Sequence, residues 1–300
     1  MTSKTVQQAP SRTALVAAIY RAMAHRDAAA EGIGSDHLAC TFLSGAHRFL
    51  VRFRWMRRAL RRWSDRVTPG VYQYVVARTA FLDERYARTL SDGTEQVVLL
   101  GAGYDTRPRR MPPPDGVKVI ELDVASTQER KRGCLARAGL AEPAGLVFAP
   151  IDFNTQSIAT VLREAGYDPG RKTLFLWEGV TYYLAGDAVD GVLRLVRENT
   201  HPGTTIAFDY AITLSDDNID RIYGARTFTE TWRKRQKGEP VTFSIDEGAL
   251  PSFLRERGLD LVEHLDATEI ESAYSTGDAG ARTGKVTGFF RKAVARPTAE

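Results

Sequence analysis

Two cysteines in 300 residues, Cys40 and Cys134, exclude a disulfide framework, and neither stands in a CxxC pair or a Cys/His cluster. The five histidines, His25, His37, His47, His201 and His264, are scattered without HExxH-type spacing, so no metal site is expected. Long apolar runs are missing as well: "ALVAAIY" falls far short of the ~20 residues that cross a bilayer. The chain does not open on a basic start, an apolar core and a small-residue cleavage site, and the expected location is cytoplasmic. The first ten residues and the tail "ARPTAE" are small, polar or proline-containing and are expected to be loosely held.

Acidic residues are absent from one stretch. Residues 47–63, "HRFLVRFRWMRRALRRW", hold seven arginines and no Asp or Glu, so a net charge of +4 leaves the rest of the chain at −3. The basicity is local. Phe49, Phe53, Met56, Leu60 and Trp63 recur at helical spacing and are expected to pack on the body, with Arg48, Arg52, Arg54, Arg58, Arg61 and Arg62 mostly outside. A solvated face is the first reading, a gate attracting an anionic acceptor the second, and nucleic acid or membrane binding the third.

What is present is a globular composition, 43% hydrophobic and 26% charged, arranged in two parts. Residues 1–90 form a helical N-terminal lid region, with Leu15, Ala18, Ile19 and Ala22 on one helical face. Residues 91–300 alternate short apolar runs with helical stretches: "VVLL", "VKVIEL", "LVFAPI", "KTLFLW", "TTIAFDY", "LDLVEHL" and "KVTGFFRKAV". Helices are expected at 126–138, 155–165, 187–198 and 246–257. Such alternation predicts an α/β fold with a doubly wound, mostly parallel sheet, whose ligand lies beyond the carboxyl ends of the strands. Residues 211–245 interrupt the core elements and are the expected place for acceptor specificity.

The residues after each strand therefore carry the reading. Gly101-Ala-Gly103 permits a tight turn and close ligand approach, with Asp105 or Thr106 as a helix cap. A dinucleotide fingerprint would place its third glycine at 106, where threonine stands, which tells against a nicotinamide oxidoreductase. The second strand ends in Glu121 and Asp123, the third in Asp152, the fourth in Glu178. Carboxylates at three strand ends suit a nucleoside without phosphates, since phosphates would be repelled, and an acid on the second strand can accept from both ribose hydroxyls.

The order Gly101-Ala-Gly-Tyr-Asp-Thr-Arg107, "ELD", Asp152 and Trp177-Glu-Gly179, with Arg78-Thr79 upstream, resembles the leucine carboxyl methyltransferase family. The resemblance covers nearly the whole chain. It implies the class I, Rossmann-like methyltransferase fold, S-adenosyl-L-methionine as cofactor, and, as in its bacterial natural-product relatives, esterification of a carboxylate on a secondary-metabolite acceptor. Carried over by position, Arg78 binds the methionine carboxylate, and Gly101 and Gly103 lie against the methionine part. Asp123 holds the ribose, with Glu121 as second choice; Asp152 and the backbone of Phe153 meet the adenine. Glu178 lies near the cofactor and the substrate entrance. Val124-Ala125 and Phe153 stand where relatives often carry proline and leucine.

A carboxylate acceptor arrives ionised and needs no general base, whereas a phenol or alcohol usually does. No histidine or lysine stands in the motif loops, which favours the carboxylate; no catalytic side chain is assigned, and Tyr182, Tyr183 and Tyr210 could orient the acceptor. Hydroxyl methylation is the alternative. An RNA-directed methyltransferase using the arginine-rich segment 47–63 is a further, less favoured alternative, because the loop after the fourth strand reads Glu-Gly-Val-Thr rather than Asn/Asp-Pro-Pro-aromatic. The expected partner is a small-molecule carboxylate, with no membrane partner.

Overall fold

The computed structural model describes residues 11–27, 33–153, 155–199, 201–235, 241–275 and 284–298. The expectation of loose ends falls at 1–10 and 299–300, outside the described residues. Among the described residues, four α-helices precede the first strand: α1 (Arg12–Arg26), α2 (Gly45–Arg52), α3 (Arg54–Val67) and α4 (Val71–Thr89). The Ser11 and Ser44 side chains cap α1 and α2 by accepting from backbone N–H groups of the first turn.

Seven strands follow among the described residues: β1 (Gln96–Leu100), β2 (Lys118–Asp123), β3 (Leu146–Pro150), β4 (Thr173–Trp177), β5 (Thr205–Ala211), β6 (Leu259–Leu265) and β7 (Phe290–Pro297). They form one sheet in the order β3-β2-β1-β4-β5-β7-β6, parallel except for β7, which runs antiparallel to both β5 and β6. This is the Rossmann-like sheet of class I methyltransferases. Its strand order reverses between β1 and β4, so the crevice that the topology offers a ligand opens at the carboxyl ends of those two strands. The sheet is covered by α5 (Arg107–Arg110), α6 (Ala125–Arg137), α7 (Ile158–Glu164), α8 (Gly186–Arg197), α9 (Ala225–Arg235), α10 (Leu250–Arg255) and α11 (Ala267–Tyr274).

Two boundaries depart from expectation for backbone reasons. The helix expected from 246 begins at Leu250, because Gly248 sits at φ +82° and breaks the run; Pro251, without an N–H, fits the first turn. β7 starts at Phe290 rather than 285, since the N–H groups of Thr287 and Gly288 donate instead to the carbonyls of Gly70 and Tyr223.

The arginine-rich stretch departs more seriously. Met56 and Leu60 are half-buried, but Phe49, Phe53, Trp55 and Trp63 are exposed, Trp55 to 66% and Phe49 to 55%. Arginines take part of the inner side instead. Arg57 donates to the carbonyls of Val51, Arg52 and Arg26, and Arg61 lies over the Tyr72 ring and pairs with Asp27 at 3.7 Å. Capping carbonyls and covering a ring are tasks a guanidinium performs better than an aliphatic chain, so the apolar stripe is turned partly outward. No helix of the described residues is long and apolar enough to cross a membrane.

One core residue runs against the usual preference for apolar side chains. Lys292 on β7 is fully buried among the rings of Tyr74, Phe81 and Tyr274, 5.1 to 5.6 Å from their centroids, and among the described residues its Nζ has no hydrogen-bond partner. Burial, then the Arg78 charge, pushes its pKa well below the ordinary lysine value. The unfolded chain would bind a proton there that the folded chain does not, so this contribution to stability grows as pH rises toward about 10.4 and is lost as pH falls. Lys292→Met should stabilise the fold by about 1 to 3 kcal/mol, seen as a raised Tm, and flatten that alkaline rise in a pH series of melts. A lowered Tm would mean that the amine has a compensating role.

Candidate functional site

The loops after β1 and β4 meet over the switch point. Gly101 and Gly103 turn the chain out of β1 at φ +67° and +47°, in the left-handed region that side chains disfavour. The loops abut so closely that a Cβ on Gly101 would come 2.5 Å from Val180 Cγ2, and one on Gly179 2.8 Å from Arg78 Nη1. Beside them opens a cavity of about 560 Å³, within the range of small-molecule sites. α1 forms one wall through Ala14, Ala17, Tyr20 and Arg21, and Tyr20 is fixed from behind by a 2.7 Å hydrogen bond to Ser64 of α3.

At the sheet rim, Arg78, Gly101, Gly103, Asp123, Asp152, Phe153, Glu178, Tyr182 and Tyr183 all line this cavity. Asp123 accepts from the backbone N–H of Gly103 (2.6 Å) and of Val124 (2.7 Å), so its carboxylate is held by the glycine turn itself. Burial raises its pKa, an effect that those two amides offset in part. Asp152 stands at the next rim position, where its N–H donates to Gln156 Oε1.

The floor is a charged chain of which the sequence reading identified only the middle, Glu178 and Arg78. Glu178 accepts from Arg78 Nε (3.0 Å) and Arg107 Nη1 (2.8 Å). Arg107 is fully buried and also binds Asp83 (2.8 Å) and Asp105 (2.5 Å). Arg78 Nη1 donates to Asp209 (3.0 Å), whose other oxygen accepts from Gly179 N–H (2.6 Å), and Tyr74 OH donates to Asp209 as well (2.9 Å). Burial opposes the charge on Glu178, but Arg107, Arg78 and Arg21 outweigh it and hold the acid well below the usual carboxylate range. Asp105 is likewise lowered, burial being overcome by Arg107. Among the described residues, Arg78 Nη2 has no hydrogen-bond partner, which leaves one guanidinium donor for an anion in the cavity.

Asp209 and Arg107 were missed. Asp209 had a signal, a lone acid inside the apolar run "TTIAFDY"; Arg107 closes the motif that begins at Gly101, but nothing local gave its role, because its partners come from three separate elements.

Two expected residues lie elsewhere. Glu121 shares the parity of Asp123 but lies two residues deeper, about 6.6 Å below the rim, fully buried against Lys131 Nζ at 2.5 Å, and it does not line the cavity. It is not the alternative ribose acid. Tyr210, adjacent to Asp209 on β5, points to the opposite face, where its hydroxyl meets His264 Nε2 at 3.1 Å. It cannot orient an acceptor in this cavity.

Away from the rim the lining turns aromatic. Trp232 and Phe228 of α9 stack at 5.0 Å, and Trp232 also stacks on Tyr183 at 6.0 Å. Tyr182 meets Tyr183 edge-on at 4.6 Å and lies 4.9 Å from Phe290. α9 belongs to the stretch between β5 and β6, so that stretch, with Thr242, supplies one wall.

A Mycobacterium tuberculosis protein, named provisionally an S-adenosyl-L-methionine-dependent methyltransferase, is 34% identical over 181 residues, 60% of this chain and 54% of its own. The match thus spans about half the length of that relative. A Mycobacteroides abscessus protein of the same name is 33% identical over 213 residues, covering 70% of this chain and 69% of its own. Among solved structures, a Thermobifida fusca protein described provisionally as a methyltransferase aligns over 98% of this chain and 97% of its own, with TM-score 0.57 and 16% identity. A Streptomyces avermitilis protein of the DUF574 family aligns over 94% and 97%, with TM-score 0.57 and 15% identity. At such identities the structures speak to the fold alone. The family model for leucine carboxyl methyltransferase matches residues 14–197, more than half of the chain, and the protein belongs to the leucine carboxyl methyltransferase family.

Proposed function

We propose that this chain is an S-adenosylmethionine-dependent O-methyltransferase that forms a methyl ester on the carboxylate of a small, secondary-metabolite-type acceptor. S-adenosylmethionine is the cofactor named for its relatives, and the donor set fits it: Arg78 Nη2 for the methionine carboxylate, the Gly101–Gly103 turn for the methionine part, Asp123 for the ribose, Asp152 and Phe153 for the adenine. When bound, it supplies a sulfonium methyl already activated toward a nucleophile. The chain's task is then to hold an acceptor oxygen in line and exclude water, and positioning of that kind can contribute about 7 to 11 kcal/mol.

The observation that carries the carboxylate reading is the chemistry of the lining, in which no histidine, lysine or cysteine occurs among the described residues. The remaining candidates are poor bases. Glu178 is held ionised between two arginines, and burial raises the hydroxyls of Tyr182 and Tyr74 well above their usual range. An acceptor that arrives ionised suits such a site; one that must lose a proton does not. The stacked Tyr183, Trp232 and Phe228 favour an acceptor with a flat apolar body.

The test is transfer of labelled methyl from S-adenosylmethionine to a panel of aromatic and polyketide-like acids, followed by mild alkali. An ester releases the label as methanol. Label that survives alkali on a hydroxyl-bearing acceptor would replace the carboxyl reading with ether formation.

A further inference from the structure

The solvent side of α2 and α3 takes no part in the cavity, yet it is patterned. On α3, Arg54, Arg58, Arg62 and Arg66 follow one another every four residues, all exposed, and Trp55, Ala59 and Trp63 form the neighbouring row, also exposed. Phe49, Leu50 and Phe53 continue the apolar row across the junction from α2. Among the described residues, those four arginines make no ion pair or hydrogen bond, in contrast to Arg57 and Arg61 on the inner side. A surface that only needed solvation would carry the charge without Trp55, Phe49 and Leu50 beside it.

Charge complementarity narrows the occupant. A second copy would bring the same arginines against themselves, with no acid between 47 and 63 to pair them. A nucleic acid would want open ring faces for its bases. Here Phe49 meets Phe53 edge-on at 5.1 Å, the Arg52 guanidinium covers Phe53 at 5.7 Å, and Leu50 beside them is aliphatic. Arginines on a polar row with Trp, Phe and Leu on the adjoining row are the composition of a helix that lies in a lipid interface.

We propose that the outer face of α2 and α3 docks on an anionic phospholipid bilayer, the arginine row meeting head-group phosphates while Trp55 and Phe49 enter the boundary with the acyl chains. This revises the expectation of no membrane partner, and it is independent of which acceptor the cavity takes. Each basic side chain near such a surface strengthens partitioning about fivefold.

The experiment is co-sedimentation of the full chain with vesicles of phosphatidylcholine alone or mixed with phosphatidylglycerol. Binding is expected only with phosphatidylglycerol, weakening with salt and accompanied by a blue shift of tryptophan emission. Arg54→Glu/Arg58→Glu/Arg62→Glu should weaken it by about 100-fold or more with its melting temperature unchanged. Trp55→Ala/Phe49→Ala, which keeps every charge, should still weaken it several-fold and abolish the blue shift. No sedimentation with phosphatidylglycerol would overturn the proposal, as would binding indifferent to both variants. Retention on RNA with sedimentation unaffected by the Trp55→Ala/Phe49→Ala variant would assign the face to nucleic acid instead.

Discussion

Replacing Arg78 with alanine should both loosen the fold and empty the site. The guanidinium is buried between Glu178 and Asp209, two carboxylates from different strand ends, so its removal leaves negative charge in the interior with fewer partners. Breaking a buried pair from one side costs about 3 to 5 kcal/mol. The lower figure applies here, because Glu178 keeps Arg107 while Asp209 keeps Tyr74 and Gly179 N–H. At about 2 to 4 °C per kcal/mol for a chain somewhat smaller than this one, the Tm should fall by about 5 to 10 °C.

The pH dependence has a defined sign. Glu178 and Asp105 have folded pKa values below their ordinary ones, so their contribution is fully present above about pH 4.5 and drains away as pH falls below it. Arg78→Ala should make that acid loss shallower, since part of what depresses Glu178 is gone. Affinity for S-adenosylmethionine should drop by about 10 to 100-fold with the loss of a charged donor. Arg78→Lys keeps the charge but cannot bridge two acids and a ligand at once, and should recover stability in part and affinity little. An alanine variant with unaltered Tm and cofactor affinity would show that the chain from Arg107 to Asp209 is not a unit.

How much of this could be read from the sequence follows from the range of the forces involved. The strand ends were legible because a buried parallel strand is a short apolar run and its punctuation is local: "VVLLGAG" already specifies a strand followed by a turn. The choice between Glu121 and Asp123 was not legible, since both have the same parity and only the end of the pairing with Leu146–Pro150 tells which of them reaches the rim. Tyr210 and Asp209 could be separated by alternation alone once the face of β5 was known, and that face is set by α4, which brings Tyr74 and Arg78 to Asp209. Arg107 lay beyond reach because its environment is assembled from α4, the glycine turn and β4's end. The outward turn of Trp55 and Trp63 was hidden for a further reason. Periodicity says which residues share a helix face but not whether the body has a place for them, and here Arg57 and Arg61 hold the inner side.

Asp123→Asn should separate binding from chemistry. The carboxylate accepts from Gly103 N–H and Val124 N–H and lines the cavity, where on the proposed function two ribose hydroxyls would donate. An asparagine offers one acceptor oxygen, and its amide nitrogen would confront one of those backbone donors. The glycine turn and the ribose therefore both lose a partner. Losing hydrogen bonds to a charged group costs about 1.5 to 3 kcal/mol, so the KM for S-adenosylmethionine and the Kd for its demethylated product should rise together by about 10 to 100-fold. The ribose is remote from the methyl in transfer, so this interaction is the same in ground and transition states, and kcat at saturating cofactor should stay within a few-fold of wild type. Steady-state kinetics with calorimetric titration of the product measures both. A fall in kcat at unchanged KM would place Asp123 next to the reacting groups and reverse the orientation of the cofactor in the cavity; if neither changed, the cavity between β1 and β4 would not be the cofactor site.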